Sequence, residues 1–269
     1  MKLKHISLLT LAGMLSTAIS AQEIDYNKAE TWGHPQIKAG TDGAALNVLT
    51  PTSAKHNTLI KLDKNATYTF SGEIRRAPGT PEAPYLIGFF AYDKNRRLIS
   101  PQNMAYVKGT QTELVETAVY KSKTLKVKDA SKWQKGSWFF VAFDAKDDLS
   151  DLPNFNLSAN GISDIKKVED GWLVTLAKPL IRGWVEETKV RVHFPGSWHH
   201  YTGTGKTKEN WVKFGRKFKG ISKSGNGEYG KFWANVEYIA PMMILNNKYD
   251  KNKEKYNTQL RNLKVEIIK

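Results

Sequence analysis

The chain has no cysteine among its 269 residues. This absence excludes disulfide bonds, a thiolate nucleophile and a zinc site built from cysteines. It also excludes a lipoprotein anchor, which needs a cysteine directly after the leader. A chain of this length can bury enough apolar surface to fold without such cross-links.

Long apolar runs and helical periodicity are absent as well. After residue 20, no stretch approaches the roughly 18 consecutive apolar residues that a transmembrane helix requires. No stretch keeps a helical period for more than about three turns. The mature chain is therefore predicted to insert no segment into a membrane and to fold mainly from strands.

The first twenty residues have the pattern of a secretory signal peptide. Lys2 and Lys4 form a positive start, residues 6–15 are mainly apolar, and residues 18–20 are Ala, Ile and Ser. This order, with an apolar run too short for a membrane span, is typical of a cleaved leader. The sequence thus predicts a bacterial signal peptide at residues 1–20, a single domain at residues 21–269, and a secreted or periplasmic protein.

The charge is strongly positive and tryptophan is abundant. The formal net charge is +15, and the chain has eight tryptophans. For an exported protein, this composition favours an acidic or neutral polymer as partner. The alternative is an ordinary lysine-rich solvated surface. Nucleic acid is not a predicted partner, because the chain is expected to be exported and has no nucleic-acid-binding motif.

The most regular stretch covers residues 65–76, with the sequence NATYTFSGEIRR. Apolar and small residues alternate with polar ones from Tyr68 onwards, which indicates a half-buried strand. Its polar face carries Glu73 and Arg75 rather than only threonine or lysine. We therefore treat this strand as the centre of the fold and as part of a candidate site.

Short strand-like runs recur between turn signals along the rest of the chain. Residues 85–92, YLIGFFAY, are apolar on both faces and predict a central strand. Residues 166–176 predict a hairpin that turns at Asp170 and Gly171, residues 195–207 predict a loop, and residues 211–218 predict one strand. Together these runs predict an all-β protein with a sandwich architecture.

Several of these segments resemble the galactose-binding-like jelly roll of carbohydrate-binding modules of the family four and nine type. The matching segments, in chain order, are DGAALNV at 42–48, TYTFSG at 67–72, WVKF at 211–214 and LRNLKV at 260–265. The similarity covers roughly residues 32–268 and is weakest over 144–188, whose extra hairpins it does not explain. It implies a jelly-roll β-sandwich, a sugar-binding cleft on a concave face or at loop tips, and often a structural calcium.

One candidate site combines Glu73 and Arg75 with Arg191 and His193 on the polar faces of two alternating strands. If the two strands share a sheet, all four side chains stand on one surface. Arginine can then grip carboxylate or sulfate groups in a bidentate manner. The alternative is a cross-strand salt-bridge cluster without a ligand.

A second candidate site is aromatic. Trp198, His199, His200 and Tyr201 lie in the predicted loop 195–207, and such a cluster is unusual for a simple connection. The alternative is that Trp198 packs on the edge of the core. Trp184, shortly before the strand of Arg191, could belong to either a site or the core. The remaining central tryptophans are assigned to core or rim packing: Trp133, Trp138, Trp172, Trp211 and Trp233.

Motifs for catalysis are weak. No G-x-S-x-G elbow and no H-E-x-x-H sequence occurs, and the neighbours Glu186 and Glu187 would point to opposite faces of a strand. A jelly-roll polysaccharide lyase would use arginine, histidine and tyrosine, which Arg191, His193, His199 and Tyr201 supply.

The acidic segment around residues 144–151 offers carboxylates for calcium, with a solvated acidic turn as the alternative. Adjacent histidines rarely hold one metal ion without other ligands, so no metal site is assigned. The sequence thus predicts a secreted, non-catalytic protein that binds a neutral or acidic polysaccharide. A lyase acting on uronate-containing glycans and a cell-surface structural or adhesion protein are the alternatives.

Overall fold

The computed structural model describes residues 24–159, 161–196, 199–223, 225, 227–246 and 256–269. In these residues, 44% lie in strands and 3% in helices. Within this part of the chain the helical segments are single turns, a 3-10 helix at Ala29–Trp32 and α1 at Pro101–Met104. No helix in these ranges is long and apolar enough to cross a membrane. The predicted all-β class is confirmed.

The strands of the described residues are 2 to 11 residues long and fall into three consecutive groups. The first group is β1 (Ile37–Ala39), β2 (Leu46–Val48), β3 (Thr52–Lys55), β4 (Ile60–Lys61), β5 (Thr67–Arg76), β6 (Pro84–Tyr92) and β7 (Leu98–Ile99). The second is β8 (Thr112–Glu113), β9 (Thr124–Val127), β10 (Phe140–Phe143), β11 (Ile162–Val168), β12 (Gly171–Leu176) and β13 (Lys189–His193). The third is β14 (His200–Lys206), β15 (Val212–Phe214), β16 (Lys217–Lys219), β17 (Tyr238–Leu245) and β18 (Thr258–Ile268).

The first and third groups build two antiparallel sheets that pack face to face. Sheet A has the order β1-β2-β18-β5-β15, with β16 also paired to β5. Sheet B has the order β14-β6-β17-β3, with β4 paired to β17 and β7 to β6. Phe70 of β5, Phe89 of β6 and Leu260 of β18 are buried in one shared core. The arrangement is consistent with a β-sandwich and includes a sheet curled into a half-barrel, whereas jelly-roll connectivity stays a prediction.

Strand β5 lies in the interior of sheet A, and one of its faces is buried, as its alternation predicts. It pairs with β18 on one side and with β15 and β16 on the other. Tyr68, Phe70 and Ile74 are buried, while Glu73 and Arg75 stay partly exposed on the opposite face. The apolar strand β6 likewise lies between β14 and β17, which confirms the prediction of a central strand.

The second group of strands forms a β-structured insertion between β7 and β14. Sheet C has the order β10-β13-β8, and sheet D has the order β11-β12-β9. Their apolar side chains, including Phe143, Val174 and Val190, form a second core. The predicted hairpin over residues 166–176 is present as β11 and β12. This insertion contains the extra hairpins that the family resemblance leaves unexplained.

The insertion is anchored to the sandwich by both apolar and polar contacts. Met104, just before the insertion, and Leu152, within it, are both buried in the core of the sandwich. Asn235, from the segment before β17, donates a hydrogen bond from Nδ2 to the backbone oxygen of Leu152 at 2.5 Å. The two cores are therefore joined by side chains that cross from one to the other.

Two local predictions are wrong. From His200 onwards, the predicted loop 195–207 is strand β14, which pairs with β6. The predicted single strand 211–218 is divided into β15 and β16, because the amides of Gly215 and Arg216 donate to Thr202 O instead of pairing with β5. Both differences arise from β14, which pairs with β6 and also accepts the amides of Gly215 and Arg216. No local sequence pattern predicts where β14 lies.

Candidate functional site

The face of sheet A that points away from the core carries a row of polar side chains across the strands. Asn47 of β2 pairs with Lys38 of β1 and with Gln259 of β18. Gln259 in turn pairs with Arg75 of β5. Trp211, the residue before β15, extends this row beside Arg75. Residues of four strands and Trp211 thus meet on the outward face of sheet A, where Asn47 and Gln259 are buried at 8% and 1% exposure.

Arg75 is held in a fixed position within this row. Its Nε donates to Gln259 Oε1 at 2.7 Å, and its Nη2 donates to the backbone oxygen of Asp42 at 3.1 Å. Its guanidinium carbon lies 4.6 Å from the centre of the Trp211 ring. Cation–π contact of this kind stabilises an exposed site by roughly 0.5–1 kcal/mol. The arginine is therefore already oriented before any ligand arrives.

A second arginine meets the same tryptophan from the neighbouring strand. The guanidinium carbon of Arg261, on β18, lies 4.2 Å from the centre of the Trp211 ring. Its Nε donates to Glu73 Oε2 at 2.5 Å, and Arg261 and Glu73 are cross-strand partners. Since both arginines rise from sheet A, the Trp211 ring is held against the sheet, and it remains partly exposed. We call Glu73, Arg75, Trp211, Gln259 and Arg261 the Trp211 site.

Two buried polar atoms of this face have no hydrogen-bond partner in the described part of the protein. They are Asn47 Oδ1, in the row of Arg75, and Ser71 Oγ, which lies on β5 one outward position beyond Glu73. A buried polar atom without a partner costs about 1–3 kcal/mol. In folded proteins such atoms are ordinarily hydrogen-bonded to ordered water.

The structure brings Glu73 and Arg75 together, but it does not add Arg191 and His193 to them. The latter two lie on β13 in sheet C, whereas Glu73 and Arg75 lie on β5 in sheet A. The expectation of one common surface is therefore wrong. Its physical reason is the insertion, which places β13 in a separate sheet with its own core.

Arg191 and His193 belong to a buried polar network instead, at 1% and 0% exposure. Arg191 Nη2 donates to Asp151 Oδ2 at 2.7 Å, and Arg191 Nε donates to His193 Nε2 at 3.1 Å. The proton of His193 is then on Nδ1, which donates to Gln102 O at 2.8 Å. Burial, assisted by the charge of Arg191, lowers the pKa of His193 to about 4. Within this network the positive charge of Arg191 is neutralised by the carboxylate of Asp151.

The predicted aromatic site is only partly within the described residues. Trp198 lies outside them. His199 lies against Phe90, with 4.9 Å between ring centres, and 6.2 Å from Tyr201. His199 Nδ1 is buried without a partner in the described residues, and burial lowers the pKa of His199 to about 4. Burial also raises the pKa of Tyr201 to about 12.

His200 and Trp184 have structural contacts. His200 is buried in strand β14 and accepts the amide of Trp233 at its Nε2 at 3.2 Å. Trp184 stacks on Phe143 with 4.5 Å between ring centres and an angle of 3° between the planes. Arg182 lies 3.8 Å from the centre of the Trp184 ring. Trp184 is therefore packed between an aromatic ring and a guanidinium group at the edge of the second core.

The acidic segment 144–151 does not converge on one point. Each of its four carboxylates has a different partner. Asp144 accepts from Asn156 at 3.0 Å, and Asp147 accepts from Lys189 at 2.5 Å. Asp148 accepts from the amide of Ser150 at 3.0 Å, and Asp151 accepts from Arg191 at 2.7 Å. Across the described ranges, no three His, Cys, Asp or Glu side chains are grouped to hold a metal ion. Calcium stays an implication of the family resemblance.

Sequence reasoning missed three members of the Trp211 site: Trp211, Gln259 and Arg261. The sequence assigns Trp211 to core or rim packing, because the pattern of residues 211–218 does not show which other strands lie beside it. Gln259 and Arg261 alternate with the buried Leu260, and this alternation is a visible signal for one polar face of β18. The pairing of β18 with β5, however, cannot be predicted from the sequence of either strand alone.

Comparison with known proteins gives no further assignment. No family model matches the chain, and no curated protein or solved structure matches it.

Proposed function

We propose that this protein binds carbohydrate without performing chemistry, and that the Trp211 site is where it does so. The observation that carries this proposal is the contact of Arg75 and Arg261, positioned by Gln259 and Glu73, with one partly exposed tryptophan ring. The site lies on the outward face of sheet A, where Gln259 is buried and its other four members are partly exposed.

The chemistry of the site suits a sugar ring. The apolar C–H face of a pyranose packs on an aromatic ring, while guanidinium, amide and carboxylate groups bond to hydroxyl or acidic substituents. Because Arg75 and Arg261 are already oriented by their own partners, little side-chain freedom is lost on binding.

The observations do not favour the lyase alternative. A proton-transfer group works best when its pKa is near the operating pH. The pKa of His193 and of His199 is lowered to about 4, and that of Tyr201 is raised to about 12. Arg191, the remaining predicted participant, is buried against Asp151. These groups support the fold rather than a reaction.

The proposal is tested first by a glycan array on residues 21–269, probed with and without calcium. Binding to at least one neutral or acidic glycan is expected. If no glycan binds under either condition, the proposal falls, and the structural or adhesion alternative replaces it.

A matched pair of tryptophan variants then locates the site. Trp211→Ala should weaken binding by more than about tenfold, since a central aromatic anchor contributes about 2 kcal/mol or more and 1.4 kcal/mol is a factor of ten. Trp138→Ala, which removes a tryptophan that is 71% exposed on the insertion, should bind like wild type. Both variants must keep the wild-type circular dichroism spectrum. Equal affinities of the two variants would place the ligand elsewhere.

A further inference from the structure

Three lysines follow the outer edge of sheet A. Lys213 of β15 and Lys217 and Lys219 of β16 all pair with outward positions of β5. The intervening Phe214 and Phe218 are buried in the core, so the three lysines point outwards, and all three are exposed. Because a strand rises about 3.3 Å per residue, they extend over up to about 20 Å. We call these three residues the lysine strip.

The lysine strip has no counter-charge in the described part of the protein. None of its members forms an ion pair with a described residue. Lys213 is the cross-strand partner of Glu73, yet the carboxylate of Glu73 is engaged by Arg261 at 2.5 Å. The arginine of the Trp211 site thus takes the anion that would otherwise neutralise the first lysine of the strip.

The acidic side chains of the surrounding segment are engaged as well. Residues 206–231 contain eight Lys or Arg and only two Glu. Glu209 pairs with Arg76 at 3.0 Å, and Glu228 pairs with Lys231 at 2.5 Å. A patch of one charge sign raises the local concentration of ions of the opposite sign. The patch continues into the Trp211 site through Lys213.

We infer that the lysine strip makes this protein selective for acidic polysaccharides, with carboxylate or sulfate groups along the strip and one sugar ring at Trp211. This inference rests on the proposed function and names its ligand class. A small anion would meet one lysine, whereas an extended polymer can meet all three over about 20 Å. Arg75 and Arg261 contribute bidentate recognition of the same acidic groups.

The test uses two anionic polymers, each with a neutral counterpart of the same backbone. These are pectate with carboxyl-reduced pectate, and dextran sulfate with dextran. Wild-type residues 21–269 should bind at least one anionic polymer more than tenfold more tightly than its counterpart in 0.1 M NaCl. The preference should shrink in 1 M NaCl, because the screening length falls from about 10 Å to about 3 Å. A preference for pectate over its reduced form indicates recognition of carboxylate, and a preference for dextran sulfate over dextran indicates recognition of sulfate.

A triple variant tests the strip itself. Replacing Lys213, Lys217 and Lys219 by Gln should weaken binding to the preferred anionic polymer more than tenfold. The matched control replaces three exposed lysines outside the strip, Lys94, Lys123 and Lys178, by Gln, and should retain most of the affinity.

Several results would overturn the inference while leaving the proposed function intact. These are equal binding to charged and neutral polymers, binding to neutral polymers alone, and equal losses in the two triple variants. The wild-type protein could bind single-stranded DNA as tightly as the preferred anionic polysaccharide, and the strip variant could lose both to the same extent. That result would identify a surface that binds polyanions without selectivity for polysaccharide. Binding to no glycan at all would instead remove the proposed function itself.

Discussion

At the scale of single residues, burial decides which charged side chains can meet a ligand. Arg75 and Arg191 both occupy positions in strands that alternate in sequence. Arg75 lies on the outward face of sheet A beside Trp211, whereas Arg191 is 1% exposed and paired with Asp151. The same residue type therefore belongs to the proposed binding site in one strand and to a buried ion pair in the other.

This difference predicts losses of stability of different size for two arginine variants. Arg191→Ala leaves the carboxylate of Asp151 buried without its partner, so the free energy of unfolding should fall by about 3–5 kcal/mol. Arg75→Ala should lower it less, by about 1–3 kcal/mol, because Arg75 is partly exposed and only Gln259 Oε1 loses a buried partner. Urea denaturation measures both values.

Glycan affinity of the same two variants gives the complementary measurement. The folded fraction of Arg191→Ala should bind the glycan found on the array as wild type does, while Arg75→Ala should bind it more weakly. An Arg191→Ala variant with wild-type stability and lost affinity would instead assign the binding site to β13.

At the scale of elements, the close contact of β6 and β14 shapes sheet B. At Gly88 of β6, an added Cβ would lie 2.1 Å from His200 O and 2.7 Å from Tyr201 Cα. Both are backbone atoms of β14, so they cannot move aside without opening the strand pair. A glycine in the middle of the most apolar strand thus permits β14 to pair there, although the sequence of β14 predicts a loop.

Gly88→Ala should therefore destabilise the protein by about 1–3 kcal/mol or more, which is the usual cost of overpacking. Gly183→Ala, in an exposed turn where the nearest atom to an added Cβ is 3.3 Å away, should have a smaller effect. The measurement is the urea midpoint of each variant against wild type. Equal shifts in the two variants would contradict a close contact between β6 and β14.

At the scale of the whole molecule, buried neutral histidines couple stability to pH. Burial lowers the pKa of His56, His193 and His199 to about 4, and that of His200 to about 3. Their ordinary value in an unfolded chain is about 6.5. Between these values the unfolded chain binds more protons than the folded chain, so stability falls as the pH falls.

We therefore expect the free energy of unfolding to be independent of these histidines above pH 6.5 and to decrease below it. A shift of one pKa unit corresponds to about 1.4 kcal/mol, so the loss between pH 7 and pH 4.5 should be at least about 2 kcal/mol. Urea denaturation at several pH values measures it. Most carboxylates with lowered pKa values, such as Asp164 at about 2, titrate below this window. Constant or rising stability from pH 7 to pH 4.5 would contradict neutral buried histidines.

The sequence alone determined the class of the fold and the orientation of its central strand. Alternation from Tyr68 to Arg75 is a local property, because successive side chains of a strand point to opposite faces wherever the strand lies. The polar face of Glu73 and Arg75, the central position of β6 and the hairpin of β11 and β12 follow from such local patterns.

Only the tertiary structure decided which of these faces meet. Pairing of β18 with β5 brings Arg261 to Glu73, and pairing of β15 with β5 brings Trp211 to Arg75. The insertion moves Arg191 into another sheet and buries it. The physical reason is that strand pairing joins segments far apart in the chain, and no residue pattern within one strand specifies its neighbour.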